Sequence, residues 1–194
     1  MNNKHFLIYK PYGMLCQFSG ESSDSLLGDL YSFPKDVYPV GRLDKDSEGL
    51  LLLTNDNKLK AKILEPTQKQ PKTYLVQVEG AITDKALELL SQGKIIIKHK
   101  GKKHKVARAK AKRIDPPTLP ERSQPIRYRK NIPTSWISLT LTEGKNRQVR
   151  KMTATTGFPT LRLIRSCIGH LDLNHLQGNQ VIELEEKEIK QFYS

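Results

Sequence analysis

The chain is poor in several residue types, and each scarcity removes a class of reading. Only two cysteines, Cys16 and Cys167, occur in 194 residues. They are too few and too far apart for a disulfide framework, so reduced thiols are expected. No apolar run approaches the roughly 20 residues that span a bilayer. Met1-Asn2-Asn3-Lys4-His5 has no signal-peptide core, so a cytoplasmic protein without membrane attachment is expected. His99 and His104 are five apart, as are His170 and His175. That spacing does not stack two imidazoles on one helix face, so no metal site is expected. No phosphate-cradling glycine loop or dinucleotide fingerprint is present, and no cofactor is expected. Acidic residues are also in deficit: Asp+Glu number 20 against Lys+Arg 33, a net charge of +13 with a pI near 9.7. A chain this basic suits a polyanionic partner, RNA or DNA first.

What is present reads as many short strands with few helices between them. Phe6–Tyr9 and Met14–Phe18 read as strands, and Ser22-Ser23-Asp24 as the cap of a short helix through Leu30. Val37–Val40 is extended and Leu50–Leu53 is a buried strand. Asn55-Asp56 caps a helix ending near Glu65-Pro66. Thr73–Glu79 alternates, with Tyr74, Val76 and Val78 on one face, and Thr83 caps a helix that stops at Gly93. Lys94–Ile114 reads as a long hairpin whose tip, Lys98–Lys105, is nearly all basic. Asp115–Pro133 holds five prolines, an extended and helix-averse connection. Ser135–Leu141 alternates again. Asn146 is placed to cap a helix over Arg147–Thr156, and Leu161–Arg165 and Val181–Leu184 follow as strands before a short acidic helix. This pattern predicts an α+β fold on a mixed, mainly antiparallel sheet.

The most informative segment is Gly41-Arg42-Leu43-Asp44, followed by Lys45-Asp46-Ser47-Glu48-Gly49 and Leu50–Leu53. A carboxylate beside an arginine sits on a glycine-bracketed turn that feeds a strongly apolar strand. Such a strand would anchor the turn rigidly enough for a reactive group. By itself the segment also reads as a solvated acidic turn whose aspartate caps nearby backbone groups.

The segment resembles the signature of the RNA pseudouridine synthases, in the ribosomal small-subunit synthase A family, with the catalytic aspartate at Asp44. Further blocks match in order: Lys10-Pro11-Tyr12-Gly13, Lys72-Thr73-Tyr74, Glu143-Gly144-Lys145-Asn146-Arg147-Gln148-Val149-Arg150-Lys151-Met152, and Leu161-Arg162-Leu163-Ile164-Arg165 with Ile168-Gly169. The resemblance implies an extended sheet in two lobes flanking a central active-site cleft. It also implies a single catalytic domain over residues 1–194, without the N-terminal S4-type RNA-binding domain of many relatives. That places the chain nearest the members that act on large-subunit rRNA.

The resemblance further implies that Asp44 acts as nucleophile or as an electrostatic stabiliser of the sugar, that Tyr74 stacks on an extruded uracil and moves a proton, and that Arg150 keeps Asp44 ionised. Leu163 and Ile164 are expected to wall the uracil pocket. Lys10, Arg42, Lys72, Lys145, Arg147, Lys151, Arg162 and Arg165 are expected to contact RNA. Arg147 and Arg150, three apart, are expected on one helix face. The Lys98–Lys105 tip is expected to track phosphates, with a solvated loop as its plain alternative. The expected activity is isomerisation of one uridine in 23S rRNA by a monomer. Other readings from the same residues are a synthase for 16S rRNA or tRNA, a non-catalytic RNA-binding or ribosome-assembly factor, and an Asp-nucleophile hydrolase.

Overall fold

The computed structural model describes residues 3–65, 70–126 and 129–193. The chain forms two compact units, Met1–Gln70 with Arg165–Ser194, and Pro71–Ile164. Short helices and mainly antiparallel strands give the α+β class that the strand pattern anticipates.

The first unit is organised by the leucine run. Strand β3, Glu48–Thr54, is buried at all seven positions. It pairs antiparallel with β1, His5–Lys10, from His5↔Thr54 to Lys10↔Gly49. Strand β11, Val181–Glu183, adds to the other edge of β1, and β2, Tyr38–Pro39, pairs the end of β3. Both faces of this sheet are covered, which is why the run is continuous rather than alternating. Leu7, Leu50 and Leu52 pack with Leu59 and Ile63 of helix α1, Asn57–Leu64, and with Ile189 of helix α4, Glu186–Lys190. Phe6, Ile8, Leu51 and Leu53 pack on the opposite side with Met14, Leu27, Val37 and Leu43. Asp56 caps α1 by accepting from the Lys58 and Leu59 amides, while Pro66, its expected stop, lies outside the described residues.

Two expectations in this unit fail. Met14–Phe18 is not a strand, because only Met14 bridges to Ser25. Ser22–Leu30 is not an α-helix, because only Leu27–Asp29 makes a single 3-10 turn. The Leu15 and Leu27 amides donate to the carbonyls of Ser25 and Gln17 instead, so two irregular segments satisfy each other's backbone groups.

The second unit follows its sequence pattern more closely. Strand β4, Lys72–Glu79, pairs antiparallel with β8, Thr134–Leu141, over eight residues. Strand β7, Lys110–Ile114, flanks β8. Tyr74, Val76 and Val78 of β4 join Ile137, Leu139 and Leu141 of β8 in one core, with Leu90 of helix α2, Asp84–Ser91, and Met152 of helix α3, Gln148–Thr155. Thr83 caps α2. Strand β9, Thr160–Ile168, carries the chain back into the first unit, where β10, Leu171–Asp172, pairs its C-terminal end.

The expected long hairpin is shorter than its alternation suggested. It comprises β5, Ile96–His99, and β6, Lys102–Lys105, a two-stranded sheet of its own. Lys100 and Gly101 both take positive φ, 49° and 77°, the two-residue turn whose twist suits a tight hairpin. Strand β7 has no place in that hairpin because its ladder is to β8.

Candidate functional site

In the first unit, Asp44 is half-buried at the start of a closed turn. The Ser47 amide donates to the Asp44 carbonyl at 3.0 Å. Gly41 and Gly49 bracket the turn at φ +73° and +104°, values that would strain any side-chain-bearing residue. The turn is tied down at three further points. Leu43 is buried in the apolar cluster and its amide donates to Cys16 Sγ at 3.2 Å. The Gly13 amide donates to the Lys45 carbonyl at 2.8 Å. Lys10 Nζ donates to the carbonyls of Pro11 and Met14, both at 2.8 Å, and of Lys45 at 3.5 Å.

Lys10 therefore braces two of the matched blocks against each other from inside. It is fully buried, which corrects its placement among the RNA contacts: its three N–H groups are committed to backbone, and no face meets solvent. Burial pushes its ammonium down to about 8, opposed by the nearby carboxylates of Glu48, Asp46 and Asp44. The three carbonyls favour the charged form at neutral pH. Arg165, another expected RNA contact, also lies inside this unit, 4% exposed, with Nε donating to the Leu50 carbonyl at 2.8 Å. Arg42 is exposed on the turn.

In the second unit Tyr74 faces the core of β4, paired with Leu139 and 9% exposed. Leu163 shares its apolar cluster, and Ile164 is fully buried. Lys72, half-buried, opens the strand. Arg162 donates to the Pro120 carbonyl at 2.8 Å.

The arginine segment is built differently from its expected form. The helix begins at Gln148, and Arg147 occupies the capping position in a left-handed conformation, φ 52°. Asn146 does not cap, and Arg147 precedes the helix, so it does not share a helix face with Arg150. Gln148 organises the entry instead. Its Oε1 accepts from the Lys145 amide at 2.9 Å while its own amide donates to the Lys145 carbonyl at 3.0 Å. Arg147 is exposed, and Arg150 is half-buried with Nη1 3.5 Å from the Thr160 carbonyl. Lys151, an expected RNA contact, spends its ammonium on the carbonyls of Lys98 and Asn146, both at 2.9 Å.

Sequence reasoning missed Glu143 and His104. The Glu143 carboxylate accepts from His104 Nε2 at 3.0 Å, the Ala107 amide at 2.8 Å and Gln148 Nε2 at 2.6 Å. Burial raises its pKa, but these hydrogen bonds outweigh burial and hold the carboxyl below its usual value. Glu143 stands in the matched block, yet only tertiary structure brings His104 and Ala107 to it.

A model of the RNA pseudouridylate synthase family matches residues 4–155. The chain belongs to this family. It is 48% identical over 184 residues to the ribosomal large subunit pseudouridine synthase E of Vibrio parahaemolyticus, covering 95% of this chain and 75% of that one. It is 46% identical over 176 residues to the synthase of the same name from Xanthomonas campestris, covering 90% and 91%. A crystal structure of a pseudouridylate synthase superposes with a TM-score of 0.78 at 25% identity, over 98% of this chain and 74% of that one, so the α+β fold is the pseudouridine synthase fold. The chain is thus an RNA pseudouridine synthase, an isomerase, and RNA is its partner. Among the described residues no helix is long and apolar enough to cross a membrane.

Proposed function

We propose that this synthase isomerises a uridine of large-subunit ribosomal RNA, 23S rRNA, in the cytoplasm and as a monomer, with Asp44, Tyr74 and Arg150 as its catalytic residues. The observation that carries the reading is the near full-length identity of 46–48% to two synthases named for the large ribosomal subunit. The braced turn supports the choice of Asp44 over Asp46 and Glu48. Its backbone is pinned on both sides, which is what a carboxylate held against one sugar atom requires.

The chemistry is an isomerisation and balances without a co-reactant. The N1–C1′ bond breaks, the uracil turns, C5 bonds to C1′, and the proton lost from C5 is matched by one gained at N1. Asp44, ionised, attacks the sugar or stabilises its electron-poor form. Tyr74 stacks on the uracil and takes part in the C5 proton transfer. Arg150 supplies a fixed positive charge to the reaction, a task suited to a planar guanidinium. Leu163 and Ile164 exclude water from the base. Arg42, Lys72, Lys145, Arg147 and Arg162 meet the RNA backbone, which gives affinity without reading sequence.

The test is pseudouridine mapping in total RNA from cells with and without the gene. Loss of one pseudouridine from 23S rRNA, restored by wild type and not by Asp44→Asn, is the expected result. Loss from tRNA or 16S rRNA would move the substrate and leave the chemistry. Loss of none would favour a non-catalytic RNA-binding role.

A further inference from the structure

The basic hairpin and the arginine segment are far apart in sequence but meet in one polar assembly of the second unit. Three connections join them. Glu143 accepts from His104 of β6 at one carboxylate oxygen, and at the other from both the Ala107 amide just beyond β6 and Gln148, the first residue of α3. Lys151 of α3 reaches the Lys98 carbonyl of β5. Ile97 and Val106 lie in the same buried cluster as Val149 and Met152 of α3.

The consequence is positional. Gln148 is 3% exposed and grips the Lys145 amide, so the carboxylate that orients Gln148 also orients the loop presenting Lys145 and Arg147. Lys145 and Lys151 stand close enough to His99 of β5 to lower its pKa, after burial itself. The exposed lysines of the hairpin, Lys100, Lys102, Lys103 and Lys105, thus stand in fixed register with Arg147 and with the first turn of α3. A tether would have needed only charge. Here a carboxylate bearing three hydrogen bonds, two from the hairpin side and one from α3, is placed at the joint, where each bond to a charged group is worth more than a neutral one.

We propose that Glu143 is a positioning residue that registers the basic hairpin with the arginine loop, so that RNA backbone held by the hairpin sets the placement of the arginine helix as well as the affinity. This rests on the RNA synthase reading and deepens it. The hairpin and the loop then form one phosphate-tracking surface.

Glu143→Gln keeps the shape, removes the charge and places an NH2 group opposite a donor. At saturating RNA it should lower the single-turnover rate by about tenfold, the equivalent of losing one charged hydrogen bond. A carboxylate that merely supported the fold would lower the denaturation midpoint and leave that rate unchanged, and this result would overturn the proposal. RNA affinity gives a second, independent readout in a double-mutant cycle with Lys100→Gln, Lys102→Gln, Lys103→Gln and Lys105→Gln combined. If Glu143 sets the register, the combined affinity loss is smaller than the product of the two separate losses, because a displaced hairpin has little left to contribute. Losses that multiply would make the hairpin an independent tether and sink the idea. Should Glu143→Gln not fold, His104→Ala cuts only the hairpin side and enters the same cycle with the same two outcomes. The binding cycle needs no turnover, so an RNA that the wild type fails to isomerise counts against the substrate reading alone.

Discussion

The Asp44 turn and the arginine loop are held by opposite means. The turn of the first unit is braced from within, by a fully buried lysine donating to backbone carbonyls and by Leu43 sunk in an apolar cluster. The loop of the second unit is held by a partly exposed network of Glu143, His104, Gln148 and Lys151. Buried braces are insensitive to salt, and partly exposed networks are screened by it. On the proposed roles, Asp44, the group that would make and break bonds, is on the rigid support. The groups proposed to meet a flexible polyanion are on the support that responds to charge.

The contrast is broken most severely at its chemical end. Asp44→Asn is nearly isosteric and should reduce turnover by roughly 10⁴-fold or more, as loss of a catalytic nucleophile does. Folding and RNA affinity should change little. Asp46→Asn, on the same turn, should stay within about threefold of wild type, the small change expected for a residue outside the proposed chemistry. The measurement is single-turnover pseudouridine formation on a substrate RNA fragment. Substantial turnover by Asp44→Asn would remove this residue from the chemistry.

The next largest effect concerns the brace. Lys10→Met keeps most of the volume and leaves the carbonyls of Pro11 and Met14 buried without their donor. A loss of about 2–3 kcal/mol in unfolding free energy is expected, mostly the penalty of unsatisfied acceptors. Urea denaturation measures it. The salt slope of RNA binding should match wild type, because Lys10 is fully buried with its ammonium on backbone carbonyls. A reduced slope with full stability would return Lys10 to the RNA contacts.

The opposite pattern is expected at the hairpin. Changing Lys100, Lys102, Lys103 and Lys105 to glutamine should leave stability within about 0.5 kcal/mol, as for surface substitutions. The slope of log affinity against log salt should fall by about 0.7 for each single-strand phosphate that the hairpin no longer neutralises. An unchanged slope would make the tip a solvated loop.

How far the sequence foretells this contrast depends on where the information lies. Strands β4 and β8 and the caps Asp56 and Thr83 are legible, since alternation and capping are local properties. Lys10 misleads because a lysine before Pro11 and Gly13 looks like a surface loop, and three carbonyls from Pro11, Met14 and Lys45 converge on it only in the folded chain. The hairpin is shorter than expected because alternation over Val106–Ile114 does not say which strand is the partner, and the partner is β8. Arg147 reads as helical because nothing local announces a left-handed residue when glycine and asparagine are its usual bearers. Asp44 stands out through its matched block, since the turn by itself also fits a solvated cap.

The smallest expected effect sharpens the contrast with pH. His5 of β1 is 3% exposed. Thr54 Oγ1 gives its proton to the Lys4 carbonyl, so the His5 Nδ1–H donates to that oxygen at 2.8 Å. Nε2 is then the bare acceptor nitrogen, buried without a partner. Burial lowers the His5 pKa from 6.5 despite the opposing pull of Asp56, Glu186 and Glu183, and burial also lowers that of His170. The folded chain therefore takes up these protons at lower pH than the unfolded chain does. Below about pH 6.5 the unfolded state binds more protons, and stability falls as pH falls through that window. Above it these two histidines contribute no slope. Urea midpoints should be lower at pH 5.5 than at pH 7.5, and His5→Gln, which cannot titrate, should narrow the gap. An identical gap in the variant would place the acid sensitivity elsewhere, outside the buried sheet of the first unit.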